Sequence, residues 1–197
     1  AYQSANAGGI DGFIMRFQNS GNYPLLRTTY IGTTAYDQVY GLQIDNSNNV
    51  YVMGQTHGNF PVFPTGVYNN HNSRQFVMKL DSTLATGIYS TVFGTGAVAA
   101  VNMSPVAFLV DTCENVYISG WGGLTVVGPA TSVAGMPITP ATALQSTTDG
   151  SDFYFIVLKK DAQSLLYGSF FGAAGIQEHV DGGTSRFDPN GVVYQAM

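Results

Sequence analysis

Three times along the chain an aspartate that closes a short apolar run is followed six residues later by a tyrosine: Asp45 and Tyr51, Asp111 and Tyr117, Asp188 and Tyr194. A spacing that recurs in this way marks a repeat architecture, in which each unit buries its apolar faces against its neighbours. Three further elements repeat with it. A loop carries two prolines at a kept spacing, as Phe60-Pro61-Val62-Phe63-Pro64 and again as Met136-Pro137-Ile138-Thr139-Pro140. An apolar run follows, as Phe76 to Leu80 and Tyr154 to Leu158, with an earlier counterpart at Phe13 to Phe17. The last element is aromatic and closes on glycine, at Thr29 to Gly32, Thr91 to Gly94 and Ser169 to Gly172. Tyr2-Gln3-Ser4 at the start also reads like Tyr194-Gln195-Ala196 at the end, which predicts that both ends fall at one point of the unit.

Each element has the length and the β-branched and aromatic enrichment of a strand, with Gly, Asn or Asp at its borders. Asp188-Pro189-Asn190-Gly191 and Asp45 to Asn49 suit tight turns, so the first and second strands of a unit form a hairpin. Short turns at 18–21, 82–87 and 161–163 join the third and fourth strands in the same manner. No segment sustains a 3.6-residue period. Several strands are apolar at successive positions, as a sheet covered on both faces requires. The low charged fraction of 10% agrees with that, because little of each strand is then left to face water.

Four-stranded sheets stacked around an axis meet these conditions. The expected fold is therefore all-β, a partial β-propeller of about three four-stranded antiparallel blades. Residues 1–197 form part of one domain, with repeat units near 2–50, 51–116 and 117–193. Propellers carry about four to eight blades, so the remaining blades are expected in the same parent chain or in other subunits. The opening Ala1-Tyr2-Gln3, without a start Met or a leader pattern, reads as the interior of a longer or processed chain.

Composition also removes function classes. Twelve acidic against seven basic residues give a net charge of −5 and no basic stripe, so no nucleic-acid partner is expected. No run approaches the roughly 20 apolar residues of a membrane helix, and no membrane insertion is expected. The lone Cys113 allows no disulfide within these residues, and any partner for it lies outside them.

Candidate chemistry is sparse. Gly94-Thr95-Gly96-Ala97-Val98-Ala99 follows a strand but runs on to another strand without the helix a phosphate loop needs, so it reads as a turn between blades. Asp45 to Asn49 alternates oxygen donors, yet lacks the glycine and closing glutamate of a calcium loop. His57, His71 and His179 lie in loops without the spacing of a helical metal pair. His179 stands beside Glu178, Asp181 and Asp188 in sequence, a setting that would suit acid–base work. Hairpin connectivity sends the long loops to one face, which gathers Trp121, Tyr36, Phe60, Phe63 and Tyr68. Phe60 and Phe63, bracketed by prolines, are expected to pack. Trp121, Tyr36, His179 and Asp181 are the candidate ligand-binding residues; no catalytic residue, metal or cofactor is assigned.

The segments Asn49 to Thr56, Phe60 to Pro64, Gln75 to Asp81 and Tyr89 to Gly94 resemble the bacterial β-propeller repeat family called SBBP, found in very large secreted surface proteins. Asn115 to Gly123 and Glu178 to Asp188 are similar, more narrowly, to Bacteroidota proteins associated with gliding motility and type IX secretion. The resemblance implies an extracellular, cell-surface, non-enzymatic module for structure or adhesion. A carbohydrate-binding or carbohydrate-active propeller working at the loop-rich face is the alternative, with surface glycans as partners.

Overall fold

A computed structural model describes residues 1–97, 100–123, 130–180, 184–188 and 192–196. Twelve strands follow one another: β1 (Gly12–Phe17), β2 (Leu25–Ile31), β3 (Asp37–Ile44), β4 (Val50–Thr56), β5 (Gln75–Leu80), β6 (Gly87–Phe93), β7 (Ser104–Val110), β8 (Val116–Trp121), β9 (Phe153–Leu158), β10 (Leu165–Phe171), β11 (Thr184–Phe187) and β12 (Val193–Ala196). One 3-10 turn, Lys160–Ala162, is the only helical element among the described residues. The strands form two antiparallel four-stranded meanders, β3-β4-β5-β6 and β7-β8-β9-β10, and two two-stranded sheets, β1-β2 and β11-β12. The all-β expectation holds, and the arrangement is a partial β-propeller with two complete blades and two half blades. First strands of successive blades adjoin, β3 beside β7 and β7 beside β11.

Local chemistry accounts for the hairpins. The Asp45 carboxylate accepts from the backbone N–H groups of Ser47 (2.8 Å) and Asn49 (2.9 Å), while Asn48 takes a positive φ of 63°. Asp111 accepts from Asn115 N–H at 2.7 Å around Glu114, whose φ is 65°. An aspartate that closes its own turn in this way sets the register of the strands that follow it.

Burial follows position in the blade. Every residue of β5 is buried, and Tyr51, Val52, Phe76, Val77, Met78 and Leu80 are wholly covered. One core joins the two complete blades through Tyr51, Met53, Val77, Phe108, Ile118 and Tyr154. A second packs β1-β2 onto the other face of the first blade, through Ile14, Ile31, Val52, Phe76 and Leu80. The proline loops then cover the outer edges. Phe63 exchanges backbone hydrogen bonds with Ser90 of β6, and Thr139 does so with Gly168 of β10, which blunts two edges open to unwanted pairing.

The same loop identifies the chain start. Gln145, which ends the second proline loop, exchanges hydrogen bonds with Ser169 and accepts from Gly172 N–H through its side chain. Gln3 makes the matching set with Thr29 and Gly32. Tyr2-Gln3 thus occupies the place of Leu144-Gln145, at the end of a proline loop. It does not take the second-strand place of Tyr194-Gln195, as its letters alone had indicated.

Candidate functional site

The loop-rich end and the hairpin end of the blades differ in chemistry. At the loop end, Trp121 closes β8 with its indole buried, 5% exposed. Its Nε1–H donates to the Val180 carbonyl at 3.1 Å, and the exposed His179 ring meets it edge-on at 4.6 Å. The structure therefore brings Trp121 and His179 together, with the indole serving to seat the 172–180 segment. Other contacts pin that segment as well. Glu178 Oε1 accepts from Ala173 N–H at 2.8 Å, and Asp149, held below the usual carboxylate range by backbone hydrogen bonds from Ser151 and Gly175, ties the turn to the preceding loop. Asp181 lies outside the described residues.

Tyr36 belongs to a separate cluster, ahead of β3. Its carbonyl accepts from His57 N–H, the two rings meet edge-on at 5.6 Å, and the phenol accepts from Gln38 Nε2 at 2.6 Å. The residue remains 39% exposed. Phe60 stacks on Phe76 with centroids 3.8 Å apart and an interplanar angle of 9°, which is packing within the blade. Phe63 lies against Tyr2 at 6.5 Å. His71 is exposed beside the turn in which Gly96 N–H donates to Ser73 Oγ. Among the described residues, no group of three or more His, Cys, Asp or Glu is placed to hold a metal ion.

The densest charge lies at the hairpin end, between the complete blades. Lys79 of β5, with its side chain 5% exposed, reaches Glu114 at 2.5 Å, Asp45 at 3.3 Å and Asp161 at 3.5 Å. Glu114 and Asp161 come from the two turns of the following blade, so a single ammonium ties one blade to the next. Tyr51 donates its phenol to Glu114 at 3.0 Å, and its ring lies 4.9 Å from the ammonium. Lys160 binds the other Glu114 oxygen at 2.6 Å.

The electrostatics are consistent with a closed clamp. Burial alone would lower the Lys79 pKa, but Glu114, Asp161 and Asp45 outweigh it and hold the amine above its ordinary value. Hydrogen bonds from Lys160 and then Lys79 hold Glu114 below the carboxylate range. Burial, followed by the bond to Glu114, pushes the Tyr51 phenol far up. Lys79, Glu114 and Tyr51 are thereby each fixed in one protonation state across the neutral range, which suits holding a shape and does not suit moving protons. The sequence reading missed this clamp. Its signal was a lone lysine inside an apolar strand, in phase with the Asp–Tyr repeat.

Fold and geometry thus define the class: a partial β-propeller whose blades are locked at their hairpin ends and covered by loops at the other. Residues 27–61, from β2 through β4 into the first proline loop, match the family model for SBBP, the beta-propeller repeat, and this match supports the repeat family. No match to a curated protein was found.

Proposed function

We propose that the chain is a non-enzymatic structural and adhesive module of a large secreted bacterial surface protein, a rigid propeller segment that spaces or presents a contact surface. The clamp around Lys79 carries this reading: a buried cation shared by three carboxylates from two blades fixes their relative position. Much of the loop face is likewise committed to packing, as with Trp121 on Val180 and Phe60 on Phe76. The resemblance of the Asn115 to Gly123 and Glu178 to Asp188 segments extends the proposal to an extracellular place in gliding motility or cell contact, with export by type IX secretion in Bacteroidota. Deleting the module from the parent gene, with surface display followed by antibody, tests it. Loss of attachment or gliding with display intact is the expected result; unchanged attachment and movement would refute it.

The partly exposed Tyr36 and the exposed His179 favour one second reading, glycan binding at the loop face. A glycan array probed with the chain and with Tyr36→Ala and His179→Ala separates the two. Specific binding lost in both variants would select the carbohydrate reading.

A further inference from the structure

We infer that the carboxylates of Asp152 and Glu178, beside the glycine that follows β10, bind a calcium ion that fastens the 172–180 segment to its blade. This goes beyond the adhesive reading and does not rest on it.

The glycines that follow β2, β6 and β10 each have a polar side chain against them, and the blades differ in its charge. A Cβ on Gly94 of the first complete blade would meet Asn102 Oδ1 at 2.6 Å and Ser73 Oγ at 2.7 Å, both neutral groups. Asn102 Oδ1 accepts there from Thr95 N–H at 3.1 Å, and its amide donates to the Ser132 carbonyl at 3.3 Å. In the second blade Glu178 takes over the first of these bonds, since its Oε1 accepts from Ala173 N–H at 2.8 Å. Its other oxygen, Oε2, is buried without a hydrogen-bond partner. The residue ahead of the third strand changes as well, from Arg74 before β5 to Asp152 before β9. A Cβ on Gly172 would touch Asp152 Oδ1 and come within 2.9 Å of the Glu178 carboxyl carbon, so the two acids crowd one point. Asp152 is 1% exposed, and its Oδ1 also has no partner.

Two carboxylates turned toward one buried point repel, and their burial is costly unless a cation stands between them. Among the described residues no lysine or arginine supplies it, because the ion pairs gather on Asp45, Glu114 and Asp161 at the hairpin end. Both oxygens are already closed off from solvent by this chain, so a flanking segment cannot bring them a donor. Asp11, at the matching place before β1, is settled differently: its Oδ1 is likewise unpartnered, but its Oδ2 accepts from Gln3 Nε2 at 2.7 Å and from Ala7 N–H at 2.8 Å. An all-oxygen pair selects a hard cation, and calcium accepts irregular sets of carboxylate, amide and main-chain oxygens completed by water. Gln145 Oε1, which accepts from Gly172 N–H at 3.1 Å, adds a third oxygen at the same glycine. The ion thus joins the residue ahead of β9 to the segment after β10, the stretch that Trp121 holds through Val180.

The test uses the full chain, freed of calcium by a chelator and then titrated with calcium chloride. A dissociation constant on the order of 0.1–1 mM is expected, as in extracellular modules. Calcium at about 10 mM should then raise Tm by roughly 3–10 °C, and sodium chloride at matched ionic strength should not. Asp152→Asn and Glu178→Gln keep the side-chain shapes and should each abolish the rise, whereas Asp11→Asn should keep it. Terbium bound in place of calcium should luminesce when Trp121, the lone tryptophan, is excited, and excess calcium should remove the signal. A melting curve indifferent to calcium overturns the inference, as does an equal rise in sodium chloride or a rise kept in either variant. A loss of stability in the variants that is the same with and without calcium would mark both acids as packing groups, and would also overturn it.

Discussion

Replacing Lys79 with methionine keeps most of the side-chain volume and removes a buried cation from between the complete blades. Three carboxylates then lose their partner unequally. Asp45, with its side chain 3% exposed, keeps its turn hydrogen bonds from Ser47 and Asn49, Glu114 at 21% keeps Lys160, and Asp161 at 37% is partly solvated. Removing one member of a buried ion pair costs about 3–5 kcal/mol, and these remaining contacts place this variant near the lower bound, about 3 kcal/mol. For a chain of this size that is a fall in Tm of roughly 6–12 °C. The sign of the pH dependence is fixed by the cluster. Against burial, hydrogen bonds from Asn49 and Ser47 and last from Lys79 hold Asp45 below its ordinary value, and those from Lys160 and then Lys79 hold Glu114 below its own, so the share that Lys79 supplies is complete above an unfolded pKa of about 4 and is lost as pH falls through the depressed folded values. Lys79 is held above its ordinary value, so its contribution is complete below about 10.4 and is lost only as pH rises past the folded value. The gap between parent and variant should therefore be full near neutrality and shrink in acid, as the stranded carboxylates protonate. Urea denaturation at neutral pH and near pH 3 measures both gaps. A neutral-pH loss below about 1 kcal/mol, or an equal loss in acid, would refute the clamp.

Three further outcomes follow from the packing. Phe76→Ala removes a wholly buried ring stacked on Phe60 and should cost about 3–5 kcal/mol in urea denaturation. Gly54→Ala would place a methyl 2.0 Å from the Gln38 carbonyl and 2.5 Å from the Phe76 ring, so the β3-β4 ladder must shift; about 1–3 kcal/mol should be lost, with amide exchange rising in β3 before β9. Burial and then the hydrogen bond to Asp111 push the Tyr117 phenol up to about 12. Asp111→Asn should bring its ultraviolet titration back toward the ordinary value of about 10.

The strands were legible because their signals are local. Asp45, Asp111 and Asp188 sit beside the turns they close, and runs such as Phe76 to Leu80 need no distant partner to read as covered on both faces. What escaped depends on contacts far along the chain. Tyr2-Gln3 matches Tyr194-Gln195 by letter, and only hydrogen bonds to Thr29, 26 residues away, reveal it as the counterpart of Leu144-Gln145. Lys79 finds Glu114 and Asp161 at separations of 35 and 82 residues. Trp121 reads as a ligand-binding candidate for the same reason, since its acceptor, Val180, lies 59 residues on. Strand identity is a property of a few neighbours, whereas the role of a polar side chain at a blade end depends on which blade stands next to it.

That dependence explains where the few polar groups are spent. Apolar stacking is non-directional, so two covered sheets could slide or rotate against each other at little cost if nothing else fixed them. Between the complete blades, directional contacts occur toward both ends of the strands. Lys79 meets Glu114 at the hairpin end, the side-chain amide of Gln43, on the same rung as Tyr51 and Lys79, donates to the Phe108 carbonyl at 3.1 Å, and that of Gln55 donates to Met103 at 2.7 Å at the loop end. A chain with only 10% charged residues can therefore still specify one blade-to-blade register, because contacts at both ends suffice once the faces exclude water.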